Sequence, residues 1–328
     1  MKHLGGTRVA ASAVLAVGLM TAGAGVTAAS VIRPAAGARV REGNCSAPAT
    51  YRELASRLSS GIRGALLGRA GDHAVTVYDA VTGVSCSVDG DRHFDTASIV
   101  KAIILAALLR VHQELGTPLS SGERYEATLM ITQSDNDAAT DLWDEVGMDQ
   151  LQDFLNLAKM DQTQLGQAGY WGLTEVTAHD EMLLLELLTR PNSVLAAASR
   201  AYELGLMAQV IPSQRWGTPA GTPAGVTVHV KNGWLPDGGG WHINSIGAFT
   251  GRDRNYLIAV LTDENPAEQY GIDTVEAIAR VVHRDLNDGR LIPRARLAAN
   301  VAPSLPGSSR APSPWAVVPA LPTPRPAR

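Results

Sequence analysis

The sequence predicts an α+β fold: one antiparallel sheet, built from both chain ends and covered by helices, carries an inserted all-helical lobe. Three observations predict it. Runs rich in β-formers occupy residues 73–79 and 84–88 near the start, and residues 226–230, 243–250 and 256–262 near the end. The stretch between them has apolar residues at helical spacing. Each β-rich region is also flanked by a periodic helix, with Leu54, Leu58, Ile62 and Leu66 before the first and Val275, Ile278, Ala279 and Val282 after the last.

In chain order, residues 1–29 carry Lys2 and Arg8, then an Ala, Val, Gly and Leu run from Val9 to Val26, then Thr27-Ala28-Ala29. This is the pattern of a secretory signal cleaved near Ala28; the alternative is an N-terminal membrane anchor. An Ala, Arg and Gly-rich lead-in (30–48) is expected to be poorly ordered, and the folded domain spans 49–286. A first helix starts at Tyr51, and Thr82-Gly83 joins a hairpin. Gly90-Asp91 leads into a helix opened by Ser98. The stretch from Gly116 through Pro118 and Ser120-Ser121-Gly122 reads as loop, before Leu129-Met130-Ile131. Ser134-Asp135-Asn136 caps a helical run, and Leu151, Phe154, Leu155 and Ala158 mark another. A Gly-rich link from Gly166 to Thr174 precedes a helix opened by Thr177, and one more helix covers Ala196 to Met207. Beyond Asn287 the Pro, Ala and Arg-rich tail (287–328) lacks the aliphatic content to fold.

Of 328 residues, 45% are hydrophobic, enough for a sizeable core. The net charge is −4, and more acidic by two once Lys2 and Arg8 leave with the leader, so the chain has no electrostatic footprint for nucleic acid. Export makes a disulfide between the two cysteines, Cys45 and Cys86, possible but does not require one. They make a poor zinc site, and no metal or cofactor is expected.

The chemically unusual stretch is Asp95-Thr96-Ala97-Ser98-Ile99-Val100-Lys101. The helix after Ser98 is apolar on every side, the mark of burial, and Lys101 is its one charge before Arg110. A cation near a helix N-terminus opposes the macrodipole, and burial disfavours its charged form. Both effects push the lysine toward a general base, one turn from a serine hydroxyl. Alone, Ser-x-x-Lys is a chance-level tetrapeptide whose simplest reading is an N-cap beside a snorkelling lysine. Two further motifs follow in order, Ser134-Asp135-Asn136 and Lys231-x-Gly233.

That order, on those elements, is the signature of penicillin-recognising active-site serine enzymes. From about Tyr51 to Leu286 the chain resembles the class A β-lactamase-related serine hydrolases, in an actinobacterial-type branch. The resemblance implies the β-lactamase/penicillin-binding-protein fold and assigns roles. Ser98 is the nucleophile and Lys101 accepts its proton. Ser134 passes a proton to the leaving nitrogen, and Asn136 bonds the substrate's amide side chain. Lys231 supplies a positive field for the substrate carboxylate and for Ser134, Gly233 removes bulk at the strand, and the backbone N–H groups of Ser98 and Trp234 form the oxyanion hole.

The chain departs from that pattern in two places. Asn232 stands where relatives carry Thr or Ser, although its amide can still donate to a carboxylate. Arg215 and Arg252 are the candidates for an assisting arginine. The glutamate that activates the deacylating water in relatives is missing: Tyr170-Trp171-Gly172-Leu173-Thr174 occupies the stretch, and Glu175 is the one carboxylate between Asp161 and Asp180. The implied activity is a secreted or cell-wall-associated serine hydrolase opening a β-lactam or related amide through an acyl-enzyme on Ser98, with deacylation either slow or served by Glu175, the remaining catalytic candidate, or by a differently held water. The alternatives are a D,D-peptidase acting on peptidoglycan stem peptides and a non-catalytic cell-wall binding module. The expected partner is a small-molecule substrate, with no nucleic acid and no stable membrane insertion after cleavage, and the expected state is a monomer.

Overall fold

The computed structural model describes residues 44–167 and 169–288. The expected leader, the lead-in up to residue 43 and the tail after residue 288 lie outside the described residues.

The chain enters through strand β1 (Asn44–Ser46) and helix α1 (Arg52–Leu66), then forms the hairpin β2 (Asp72–Asp79) and β3 (Val84–Val88). It leaves through β6 (Thr227–Pro236), β7 (Trp241–Gly251), β8 (Arg254–Asp263) and helix α7 (Glu268–Asn287). These six strands make one antiparallel sheet in the order β1-β3-β2-β8-β7-β6. The β2–β8 pairing joins the two ends of the chain, with Val75 opposite Val260 and Val77 opposite Ile258.

The period-2 geometry of a strand sends alternate side chains to opposite faces, and β8 uses both. Tyr256, Ile258 and Val260 join Leu58, Ile62, Ile278 and Val282 of α1 and α7. Leu257, Ala259 and Leu261 face the other way, into the core of the helical lobe. That lobe comprises α2 (Val100–Leu115), α3 (Ser121–Thr132), α4 (Asn136–Ala158), α5 (Ala178–Thr189) and α6 (Ala197–Met207). Helix α2 is its axis, with every residue from Val100 to Leu109 buried, as its all-round apolar sequence requires. The expected fold class is the observed one.

Some boundaries differ from the sequence reading, each for a local reason. Residues 44–46 of the supposed lead-in form β1, where Cys45 lies opposite Cys86 and is bonded to it as a disulfide. Residues 121–128, read as loop, begin α3. Ser120 accepts from the Glu123 backbone N–H at 3.1 Å and the Glu123 carboxylate accepts from the Ser120 N–H, a capping box that outweighs the loop composition. The two helical runs expected after Asn136 are both present within α4, separated at Gly147, whose φ of 76° breaks the helix. A two-stranded ribbon, β4 (His93–Asp95) with β5 (Glu175–Thr177), was not foreseen because three-residue strands carry almost no periodic signal.

Helix α6 also buries a carboxyl. Glu203 is fully buried, neither of its oxygens has a hydrogen-bond partner among the described residues, and burial holds it well above its ordinary value of 4.5. Its folded-state pKa is raised, so its cost is absent below the unfolded value and grows as pH rises, because only the unfolded chain then ionises freely. Glu203→Met is expected to stabilise the protein by about 1–3 kcal/mol at pH 8 and by much less near pH 4.5, measured by denaturant unfolding across that range.

Candidate active site

Ser98 sits in the 3-10 turn Ala97–Ile99 that opens α2. The preceding residue, Ala97, has φ of 47°, a left-handed conformation that L-residues disfavour. The strain is held from outside the turn. Fully buried Asn244 of β7 donates from Nδ2 to the Asp95 carbonyl at 2.8 Å and the Thr96 carbonyl at 3.2 Å, while its Oδ1 accepts from the Thr262 N–H at 3.1 Å. The Thr96 N–H donates to the Thr174 carbonyl at 2.8 Å. Strand β6 presses on the same turn at Gly233, where a Cβ would lie 2.6 Å from the Thr96 carbonyl oxygen and 2.7 Å from the Ser98 nitrogen. Any side chain there would displace the serine.

Lys101 is buried, and its amine reaches across to the α3–α4 junction. Nζ donates to the Ser134 carbonyl at 2.6 Å, to Asn136 Oδ1 at 2.7 Å and to Ser134 Oγ at 3.3 Å. Among the described residues these hydrogen bonds go to the second motif and not to Ser98, whose hydroxyl was the expected partner. The reason is backbone geometry. Ser134 has φ of 58°, which turns both its carbonyl and its hydroxyl toward the amine, and Asp135 caps α4 by accepting from the Ala138 N–H at 2.9 Å. Burial pulls Lys101 down to about 7, against the opposing charge of Asp135. Lys231, also buried, donates to Ser134 Oγ at 2.9 Å and to the Asn232 carbonyl at 2.9 Å. Burial, and then the neighbouring Lys101, hold it well below its ordinary range. The Ser134 hydroxyl therefore bridges two amines, an arrangement that can move a proton from one to the other.

A cleft of about 430 Å³ opens at Ser98, between Tyr170, Trp171 and Leu173 on one wall and Trp234 and Leu235 on the other, with Asn136 and Ala97 also lining it. The first wall is the loop between Gln164 and Glu175, closed at its base by a pair of backbone hydrogen bonds of 2.9 Å. Its Trp171 ring centroid lies 4.7 Å from Lys101 Nζ, and the indole N–H donates to Thr140 Oγ1 at 3.2 Å. The group covering the lysine is thus an indole and not a carboxylate.

The remaining sequence candidates lie differently. Both N–H groups of the Asn232 amide donate to backbone carbonyls, Gln214 and Trp216, each at 2.9 Å, so it straps the preceding loop to β6 and is not free to meet a ligand carboxylate. Arg215 donates to the Ala208 carbonyl at the end of α6, at 2.9 Å. Arg252 is exposed in the β7–β8 turn beside Asp253. Glu175 is exposed on β5 opposite Asp95, with no hydrogen bond to Ser98, Lys101 or Ser134 among the described residues.

Residues 119–286 match the beta-lactamase enzyme family. The chain belongs to that family. The matched span includes the second and third motifs and begins after Ser98 and Lys101. The Mycobacterium tuberculosis protein named "Putative lipoprotein LppW" is 27% identical over 197 residues, which cover 57% of this chain and 62% of that protein, so the chain spans less than two thirds of the relative's length. A β-lactamase from Sphaerobacter thermophilus superposes with a TM-score of 0.60 at 21% identity, over 73% of this chain and 98% of that one. A mutant of PBP-A, solved as an acyl-enzyme complex with penicillin G, gives 0.62 at 19% identity, over 71% and 97%. At these identities the two structures establish the shared fold.

Two residues escaped the sequence reading. Trp171 was seen only as part of the stretch that lacks the glutamate. Asn244 carried a weak signal, a strand-depleted residue between Ile243 and Ile246 in a buried strand. Asn244→Ala is expected to slow the labelling of Ser98 by a fluorophosphonate about 10–100-fold, because a nucleophile misplaced by an ångström loses its alignment. The same variant should melt cooperatively and lose only about 1–3 kcal/mol of stability. A labelling rate equal to wild type would remove Asn244 from the site.

Proposed function

We propose that the protein is an exported serine hydrolase of the β-lactamase-related type, which opens a β-lactam or related amide on Ser98 and releases the acyl group slowly. The observation that carries this reading is the Ser134 hydroxyl held between the amines of Lys101 and Lys231, next to a cleft that Ser98 lines. In the proposed step a neutral Lys101 takes the Ser98 proton as Oγ bonds to the substrate carbonyl carbon. The oxyanion is stabilised by the backbone N–H groups of Ser98 and Trp234. The carbon–nitrogen bond then breaks, and the nitrogen receives the Ser134 proton, which Lys101 replaces. Asn136, on the cleft wall, meets the substrate's acyl side chain.

Slow release follows from the loop. A water attacking the acyl-enzyme needs a base, and the loop residue over Lys101 is Trp171, which has none to offer. The acyl-enzyme with penicillin G recorded for PBP-A supports a covalent reading of the fold. Capture of an acyl group on the serine also suits a penicillin-binding D,D-peptidase, the second reading. Export is supported by the Cys45–Cys86 disulfide and by the lipoprotein name of the mycobacterial relative.

The test is intact mass of the protein with benzylpenicillin, followed over hours. A persistent adduct that Ser98→Ala abolishes is expected, with Lys101→Ala slowing its formation about 10²–10⁴-fold. Because only the neutral amine accepts a proton, the acylation rate should climb with pH and level off above about 7, the value to which burial pulls Lys101. Rapid turnover without an adduct would sink the slow-release part, and neither adduct nor turnover would favour the binding-module reading.

A further inference from the structure

We propose that the protein carries a second nucleophile, Ser87, which His179 and Asp91 activate toward small esters with a good leaving group. None of these three residues lines the cleft at Ser98, and their chemistry needs nothing from Lys101 or Ser134.

The three side chains form one hydrogen-bonded line. Ser87 Oγ lies 2.9 Å from His179 Nε2, and His179 Nδ1 lies 2.6 Å from Asp91 Oδ1. Asp91 Oδ1 also accepts from Gln162 Nε2 at 3.1 Å, and the His179 and Gln162 hydrogen bonds hold this carboxyl below its ordinary range. A carboxylate can only accept, so Asp91 fixes the imidazole proton on Nδ1. In that neutral tautomer Nε2 is bare and accepts the Ser87 O–H. Nucleophile, base and orienting carboxylate thus stand in the relation of a Ser-His-Asp triad, which is recognised by geometry and roles.

Distant segments assemble the line. Cys86 and Val88 point into the core beneath α1 and α7, so the period of β3 sends Ser87 to the opposite face. His179 is the second residue of α5, and its N–H donates to the Gly90 carbonyl at 3.0 Å, tying the start of that helix to the turn that carries Asp91. Gly90 leaves the pair room to meet: a Cβ there would lie 2.5 Å from Ser87 Oγ and 2.6 Å from His179 Nε2. The same helix turn is already fastened to the sheet by Thr76, opposite Ser87 on β2, whose buried hydroxyl donates to the Ala178 carbonyl at 2.8 Å. The Ser87 line is therefore not needed as the fastening.

It is also open to solvent. The His179 side chain is 41% exposed and that of Asp91 68%, and Ser87 is partly exposed. An open nucleophile has little surface with which to hold a large donor, so the substrate class is small esters whose leaving group departs without acid help, such as an aryl acetate. The Ser87 Oγ–carbon bond forms as the carbon–oxygen bond to the aryl group breaks, and the serine proton passes to Nε2 and on to the phenolate through solvent. In release, water gives a proton to Nε2 as its oxygen bonds to the acyl carbon. The carbon–Oγ bond breaks, Oγ recovers that proton, and the free acid leaves.

The experiment treats the full-length protein with a fluorophosphonate, in which the Oγ–phosphorus bond forms as phosphorus–fluorine breaks and fluoride leaves with the serine proton. Arg92 lies between the two serines, so tryptic peptides resolve an adduct on Ser87 from one on Ser98. Labelling of Ser87 is expected in the wild type and in Ser98→Ala. His179→Ala should slow it about 10²-fold or more, with part of the rate restored by added imidazole. Asp91→Asn, a change at an exposed side chain, should slow it about tenfold or more by offering the ring the wrong partner. Turnover of p-nitrophenyl acetate by Ser98→Ala should fall in the same order. Ser87 left unlabelled, or labelled at a rate that His179→Ala and Asp91→Asn do not change, overturns the proposal, and a Ser87→Ala variant that then only melts lower gives the line a structural role. The peptide bearing Ser98 is read in the same digest, so failure at one serine is distinguished from failure at the other.

Discussion

A lysine amine inside an apolar helix must find acceptors, and the architecture of the site follows from where Lys101 finds them. Its own helix offers none, since the backbone carbonyls there are used within α2. The nearest supply is the junction between α3 and α4, where Ser134 takes a left-handed conformation and turns its carbonyl inward. Asn136 adds the second acceptor from the first residue of α4. One buried charge thereby ties the first motif to the second, and Lys231, bonded to the same serine hydroxyl, ties both to strand β6.

That convergence holds two strained residues, Ala97 before the nucleophile and Ser134 beside the base, each at positive φ. Conformations of this kind cost of order 1–3 kcal/mol and persist only where the surroundings over-determine them. Around Ala97 the surroundings are Asn244, the Thr174 carbonyl and the bare backbone of Gly233. Around Ser134 they are the Lys101 amine and the Asp135 cap. Strain that is locked by buried hydrogen bonds keeps both hydroxyls in place without a ligand. Trp171 completes the enclosure on the other side, latched to Thr140 and stacked over the amine, which keeps Lys101 dry and its pKa low.

Much of this was legible in the residues. The all-apolar helix with one lysine near its start announced a buried amine, and the strand runs at either end announced a shared sheet. The short ribbon and the capping box at Ser120 were less visible, one too brief for a period and the other masked by loop-like composition. Within the site, the three motifs were legible because each puts a rare polar residue on a buried element. The sequence could not show that Asn232 and Arg215 also make structural contacts, since their hydrogen bonds go to the backbone of a neighbouring loop and helix end.

The sequence by itself determined the fold class and the elements that bear Ser98, Lys101, Ser134 and Lys231. These depend on local periodicity and on residue chemistry, which a linear chain displays. Only the tertiary structure decided the hydrogen-bond partners of Lys101, the indole above it and the amide that pins the Ser98 turn. Each of those joins residues tens of positions or more apart along the chain, and no pattern within a single element specifies which distant group will satisfy a buried donor.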